Sequence, residues 1–358
     1  MKKFLNISKI VVVIIGTIIG AGFASGKEIY IFFGQYGKYG IIGAIVSSIL
    51  TAIIVYSAIL IAKKLKTCNN NEFLEQISEN EKITPILKNI INIFLVVSFW
   101  IMNAGFCTFF KQEMGIPIII TAVLNALIVY ILLMKDMDGI IKLNLIAVPI
   151  MVAIIIIISI KNYPIINLSS TNLNTESRSL AMAILNSILY TSYNSITLIP
   201  IIISLTSNVN DKKTYKITAI ISGAIILILI LAIYQMLTLC SINVKDIEIP
   251  ILAILEECHP IEKTIYSIAI ITAILTSALS SGYGFLENIK DKKKYKKIAR
   301  VICILIIPIS YIGFGNLVSI LYPTFGLIGI IQIISILKKA IVLQKIPKTD
   351  INYMRKIN

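Results

Sequence analysis

Apolar runs about as long as a bilayer is thick recur from one end of the sequence to the other, separated by short polar links. A helix needs ~20 apolar residues to cross the hydrocarbon core, and a chain of such runs can only fold as a polytopic membrane protein. The mean hydropathy of +0.89 agrees, and 57% of the residues are hydrophobic against 14% charged. Little chain is left for a separate soluble domain. The net charge of +15 does not point to nucleic acid. The lysines and arginines lie between the runs, where they meet a membrane surface.

Ten spans are read as all-α transmembrane helices: about 8–35, 40–65, 83–111, 118–134, 140–160, 180–205, 214–239, 261–289, 301–312 and 317–337. With both termini inside, the positive charges concentrate on the cytoplasmic side. Only Lys27, Lys38, Lys111, Lys161, Arg178, Lys245 and Lys263 fall on the other. That places the chain in a bacterial cytoplasmic membrane as a multi-pass protein. The Ser-, Thr- and Asn-rich stretch 162–178 is an extracellular linker between two five-helix repeats, 1–161 and 179–340, with a cytoplasmic tail at 341–358. Five spans are an odd number, so the second repeat is inverted with respect to the first. The piece Pro250 to Leu255 is too short to span and reads as a helix lying over an opening.

The first span holds the most unusual stretch, Gly16-Thr-Ile-Ile-Gly-Ala-Gly-Phe-Ala-Ser-Gly-Lys-Glu28. Four glycines weaken a helix and expose peptide groups, which lipid does not tolerate unless they line a protein cavity. Small residues at spacing four also suit close helix packing, and the two readings stand side by side. A secretory signal fits less well, because the apolar character continues past Phe23 into Ile29 to Phe33. The matching span of the second repeat carries Tyr190-Thr-Ser-Tyr-Asn-Ser195 with Pro200 beyond it. Polar residues that bond their own backbone, followed by proline, predict a second interruption. Discontinuous helices 1 and 6 at corresponding places are the sequence pointer to a transporter site.

The candidate substrate-binding residues are therefore Gly20, Ala21, Gly22, Phe23 and Ser25 in the first break, with Ser192, Tyr193 and Asn194 opposite. Asn103 joins them from a Trp100, Asn103, Phe106 stripe. Freed carbonyls would take an ammonium group or a cation, and helix N–H groups a carboxylate, so a zwitterion fits. For ion coupling, Gly20 and Phe23 face the hydroxyls of Thr276, Ser277 and Ser280, which suit Na⁺. Lys142 offers a proton instead, with snorkelling to the interface as its alternative. Lys27 and Glu28 read as a gate, or as a pair answering each other locally. No cofactor is expected. The cysteines 68, 107, 240, 258 and 303 and the single His259 lack metal-ligand spacing, and no phosphate loop or catalytic constellation is present, so no enzyme is expected.

From Gly16 to Ile29, continuing to Phe32-Phe33-Gly34 and Tyr36-Gly37, and again at Ser192-Tyr193-Asn194, the chain resembles the YkvI family of bacterial membrane proteins. That family looks like a branch of the amino acid–polyamine–organocation superfamily. The resemblance implies a LeuT-like 5+5 inverted repeat working by alternating access. It also implies substrate at Gly20 to Gly22 and Ser192 to Asn194, with Thr276-Ser277 near a second sodium position. One departure stands out: many superfamily members break span 6 with glycine, and here no glycine occurs from Ile140 to Ser222. The expected function is secondary transport of a small amino acid or related organic solute, coupled to Na⁺ or H⁺. The alternative is a ligand-sensing membrane subunit of the same fold, like that of germinant receptors.

Overall fold

The computed structural model describes residues 2–67, 69–78, 83–135, 149–150, 152–161, 179–206, 212–239, 242–258, 260–286, 289 and 291–345. Among these residues all regular structure is helical. Six helices are long and apolar enough to cross a membrane: α4 (Lys38–Leu65), α6 (Ile83–Met114), α9 (Leu180–Leu205), α10 (Lys212–Leu239), α12 (Pro260–Leu286) and α15 (Phe314–Lys345). Of the other expected spans, the first, fourth and ninth are interrupted or short, and the fifth is described only in part. The first is split into α1 (Lys2–Ile18), α2 (Ala21–Ser25) and α3 (Lys27–Phe32). The fourth is the 16-residue α7 (Ile118–Leu133), and of the fifth the helix α8 (Val152–Lys161) is described. The ninth is bent at Leu305 into α13 (Lys292–Ile304) and α14 (Ile306–Ser310). Lys142 lies outside the described residues.

Two short helices fill polar links. Asn69 caps α5 (Asn70–Ile77) by accepting the Glu72 N–H at 2.9 Å, and Phe73, Leu74 and Ile77 bury its apolar face. The expected short helix is α11 (Pro250–Cys258), which packs against α2, α10 and α12 with Ile251, Leu252 and Leu255 inside.

Helix association in lipid depends on close packing more than on hydrophobicity, since tails and side chains are equally apolar. The centre of the bundle follows that rule. α9 lies between α4 and α15. Gly43 of α4 comes against the Ala183 carbonyl, and one turn on Ser47 and Thr191 join hydroxyls at 3.0 Å. On the other side Gly326 and Gly329 of α15 meet the carbonyls of Leu189 and Ser192. A Cβ at Gly329 would stand 2.5 Å from the Ser192 oxygen. Outward, α7 presents Ile120, Leu124, Leu127 and Ile131, which is what lipid requires of a membrane helix.

One expectation is corrected. The sixth span is not discontinuous: α9 is one helix from Leu180 to Leu205, with Pro200 inside it. Its polar residues bond back within the helix. Thr191 donates to the Ser187 carbonyl at 3.0 Å, Ser192 to Ile188 at 2.7 Å, Asn194 to Tyr190 at 3.0 Å and Ser195 to Ser192 at 2.7 Å. Such bonds give a buried side chain a partner without taking a carbonyl out of the helical ladder.

Candidate functional site

The break in the first span starts at Ile19 and Gly20, where the α-helical ladder gives way and Gly20 N–H reaches only to the Ile18 carbonyl at 3.0 Å. One turn of α2 follows. It stops at Gly26, whose φ of +81° is the left-handed conformation that a residue with a Cβ adopts only with strain. The space there is also closed, because a Cβ would lie 2.7 Å from Ile251 of α11. The carbonyls that the break takes from the ladder find other donors. Phe23 accepts Gly26 N–H at 3.0 Å and Gly22 accepts the Ser25 hydroxyl at 2.9 Å, while Gly20 keeps the regular helical donor, Ala24 N–H at 3.0 Å. Ala24 would have bonded residue 28 in a continuous helix; instead it takes the Tyr266 hydroxyl of α12 at 2.7 Å.

Past Gly26 the chain restarts as α3, with Lys27 and Glu28 in its first turn. Consecutive helical residues point about 100° apart. Lys27 turns to the loop before α11 and donates to the carbonyls of Lys245 and Ile247, each at 2.8 Å. In the same place Glu248 accepts the Gly315 N–H at the start of α15. Glu28 turns the other way, into the protein, and is 3% exposed. Its carboxylate accepts the Tyr193 hydroxyl of α9, with the Asn194 side chain of the same helix nearby. It also folds back over α2. A Cβ on Gly22 would stand 2.5 Å from Glu28 Oε2 and 3.3 Å from the Tyr322 ring, so this glycine leaves room for the carboxylate. The two gate candidates thus do not answer each other; they serve opposite sides of one turn.

Aromatic rings surround the carboxylate. Tyr193 stacks on Tyr322 of α15 with centroids 4.6 Å apart and on Phe32 at 5.5 Å. Tyr190 meets Phe32, Phe33 and Tyr193 edge-on at 5.5, 5.0 and 5.6 Å. The Tyr190 hydroxyl is buried and has no hydrogen-bond partner among the described residues. Among those residues no ion pair reaches Glu28. No group of His, Cys, Asp and Glu suited to a metal occurs among them either.

The remaining candidates divide. Gly20 faces α12, with Ser277 Oγ 3.7 Å and Met102 3.9 Å from where its Cβ would be. Ala21 and Phe23 are fully buried beside it. Ser25 closes the turn at Gly26, since its oxygen also accepts the Lys27 N–H at 3.2 Å. Thr276 donates back to Thr272 at 2.8 Å, and Ser280 is half-buried on the same helix. Asn103 is fixed away from the break: it donates to Phe99 at 2.7 Å and accepts from Asn125 of α7 at 2.8 Å. Ser192 lies against Gly329, as packing. Trp100 donates to the Ile302 carbonyl at 2.9 Å and borders an apolar cavity of about 360 Å³ between α6, α14 and α15. That cavity opens among exposed isoleucines such as Ile312 and Ile320, apart from Glu28.

Sequence reading missed Tyr322, Tyr190 as a site residue, and Tyr266. The available signal was the phenol itself: a tyrosine inside an apolar run needs a hydrogen-bond partner when buried.

No family model matches the chain. It is 25% identical over 352 residues to an uncharacterized membrane protein, YkvI, of Bacillus subtilis strain 168, covering 93% of this chain and 95% of that protein. It is 24% identical over 335 residues to the uncharacterized protein YyaD of the same bacterium, covering 92% and 95%. Its homologues are thus YkvI- and YyaD-like membrane proteins. Among solved structures, a mutant of the Eremococcus coleocola manganese transporter matches with a TM-score of 0.60 and 14% identity, over 92% of this chain and 78% of the other. A Na⁺-coupled sialic acid symporter, substrate-bound and outward-open, matches with a TM-score of 0.56 and 16% identity, over 91% and 76%. Mhp1 in its inward-facing conformation matches with a TM-score of 0.51 and 12% identity, over 89% and 72%. These structural neighbours are LeuT-fold transporters, not enzymes, and the chain shares their fold.

Proposed function

We propose that this protein is a secondary transporter of the bacterial cytoplasmic membrane. It moves a small amino acid or related organic solute by alternating access, driven by Na⁺ or H⁺. The observation that carries the reading is the first span: broken at Gly20 and Gly26, with its middle turn against α12 and its second half joined to α9 through Glu28. A LeuT-like fold with this break has a ready-made place where two bundles part around a solute. On this reading the chain is two inverted five-helix repeats with both termini inside, and α11 lies over the extracellular mouth. The solute binds where α2 meets α12 and α9, near Gly20, Ala21, Gly22, Tyr193 and Asn194. Few fixed charges line that region, which favours a neutral zwitterion over a multiply charged solute.

The test is uptake of a panel of radiolabelled neutral amino acids by the purified protein in liposomes. Gly20→Leu would fill the gap between the break and Ser277 and is expected to abolish uptake while membrane insertion stays intact. Asn194→Leu is expected to do the same. Normal uptake by both variants sinks the site, and no flux of any solute by the wild-type protein sinks transport in favour of a ligand-sensing subunit.

A further inference from the structure

We propose that Glu28 is the proton-carrying residue of this protein, loading and releasing one proton as the first span and α9 part; the inference rests on the transporter reading above. An ionisable side chain inside a membrane protein is costly unless it is neutralised or used. Glu28 is 3% exposed and has no ion pair among the described residues. What surrounds it selects the ligand. Tyr193 approaches as an O–H donor. The Asn194 amide lies nearby and is committed to the Tyr190 carbonyl at 3.0 Å. A metal cation asks for several oxygen acceptors converging on one point, and a phenol donating its hydrogen beside an amide committed to its own helix does not make such a shell.

Space argues the same way. Oε2 lies against Gly22, where a single added carbon would be 2.5 Å away, and the Tyr193 and Tyr322 rings are stacked at 4.6 Å. A cation seated on Oε2 itself would need a cavity between Gly22 and the stacked rings, and a proton needs none. The hydroxyls that suit sodium are not assembled at the break. Thr276 donates into its own helix, and Ser277 alone comes near Gly20.

The titratable groups facing this carboxylate are phenols. α9 contributes Tyr190 and Tyr193 and α15 contributes Tyr322; Tyr234 of α10 turns to the segment after α3, its hydroxyl committed to the Gly37 carbonyl. α12 reaches α2 with Tyr266, committed to Ala24. The turn after α3 carries Tyr36, and α3 itself carries Tyr30 and Lys27. The Lys27 ammonium points to the loop that holds Asp246 and Glu248. No cation among them stands ready to neutralise Glu28, so its charge is set by proton uptake.

The experiment is labelling of the full-length protein in liposomes with the apolar reagent dicyclohexylcarbodiimide, followed by peptide mass analysis. The reagent consumes the protonated acid: the carboxyl oxygen bonds the carbodiimide carbon and the acid proton goes to its nitrogen. Glu28 is expected to be labelled, with a yield that falls about tenfold per pH unit once the carboxyl has titrated and does not change when Na⁺ replaces K⁺. Glu28→Gln is expected to remove that label while eluting as the folded wild type does. Tyr193→Phe is expected to move the pH at which labelling falls, and Glu248→Gln to leave it in place. Protection by Na⁺ at constant pH overturns the proposal in favour of sodium. Absence of label at every pH, in protein that elutes as folded, overturns it too. Labelling does not require flux, so a wild type that labels as expected but moves no solute condemns the transport reading and leaves the protonation site standing.

Discussion

The first span and α9 are both laden with residues that weaken a membrane helix, yet the first is split into three pieces and the second is whole. The difference lies in what each stretch offers its own backbone. In the first span the weakening residues are glycines. They supply no side-chain group to occupy a carbonyl, and at Gly26 the absence of a Cβ permits a left-handed residue that a helix cannot pass through. The stranded carbonyls are then served from elsewhere, Ala24 by Tyr266 among them. In α9 the weakening residues are Thr191, Ser192, Asn194 and Ser195, and each returns a hydrogen bond to the turn before it. α9 is also clamped between α4 and α15, whose glycines and small hydroxyl residues come to within contact of its backbone. A helix gripped on two sides has little room to kink, even at Pro200.

That contrast can be attacked at several strengths. The largest effect is expected at the clamp. Gly329→Val drives a side chain into the Ser192 carbonyl, a backbone atom that cannot swing aside. It should cost about 3 kcal/mol through overpacking, read as a lower thermal unfolding midpoint of the detergent-solubilised protein. If stability is unchanged, α15 does not grip α9. Next comes the break itself. Gly26→Ala forces an L-residue into the left-handed region and presses on Ile251, with an expected loss of about 2 kcal/mol; unchanged stability would mean that the turn is not held at φ +81°. Weaker still is Ser195→Gly in the middle of α9, where glycine in place of serine should cost about 1 kcal/mol or less and leave solute uptake measurable. Were this one glycine to open α9 as the first span is opened, local backbone weakness alone would decide, and the clamp would be superfluous. The smallest is Thr197→Ala, which removes one bond to the Asn194 carbonyl and should stay within about 0.5 kcal/mol.

Much of this was legible in the sequence, for stated reasons. Glycines at 20, 22 and 26 within an apolar run left two readings, close helix packing and a break, and the left-handed Gly26 shows the break. The short apolar piece between polar loops was bound to lie on the bundle, and α11 does. The continuity of α9 was not legible, because Ser, Thr and Asn are signals for both interruption and back-bonding, and only packing against α4 and α15 distinguishes them. The direction of Glu28 was not legible either. It depends on the left-handed residue two positions earlier, and its aromatic surroundings come from α9 and α15, far along the chain. Asn103 misled for a similar reason: its partner Asn125 sits on the next helix, and nothing in the spacing announces the pair.

Lys27 and Glu28 share a peptide bond and one rigid turn. The lysine is hooked into the loop ahead of α11, and the carboxylate is tied to α9. The first turn of α3 therefore joins two distant places through adjacent residues: the loop ahead of α11 on one side and α9 on the other.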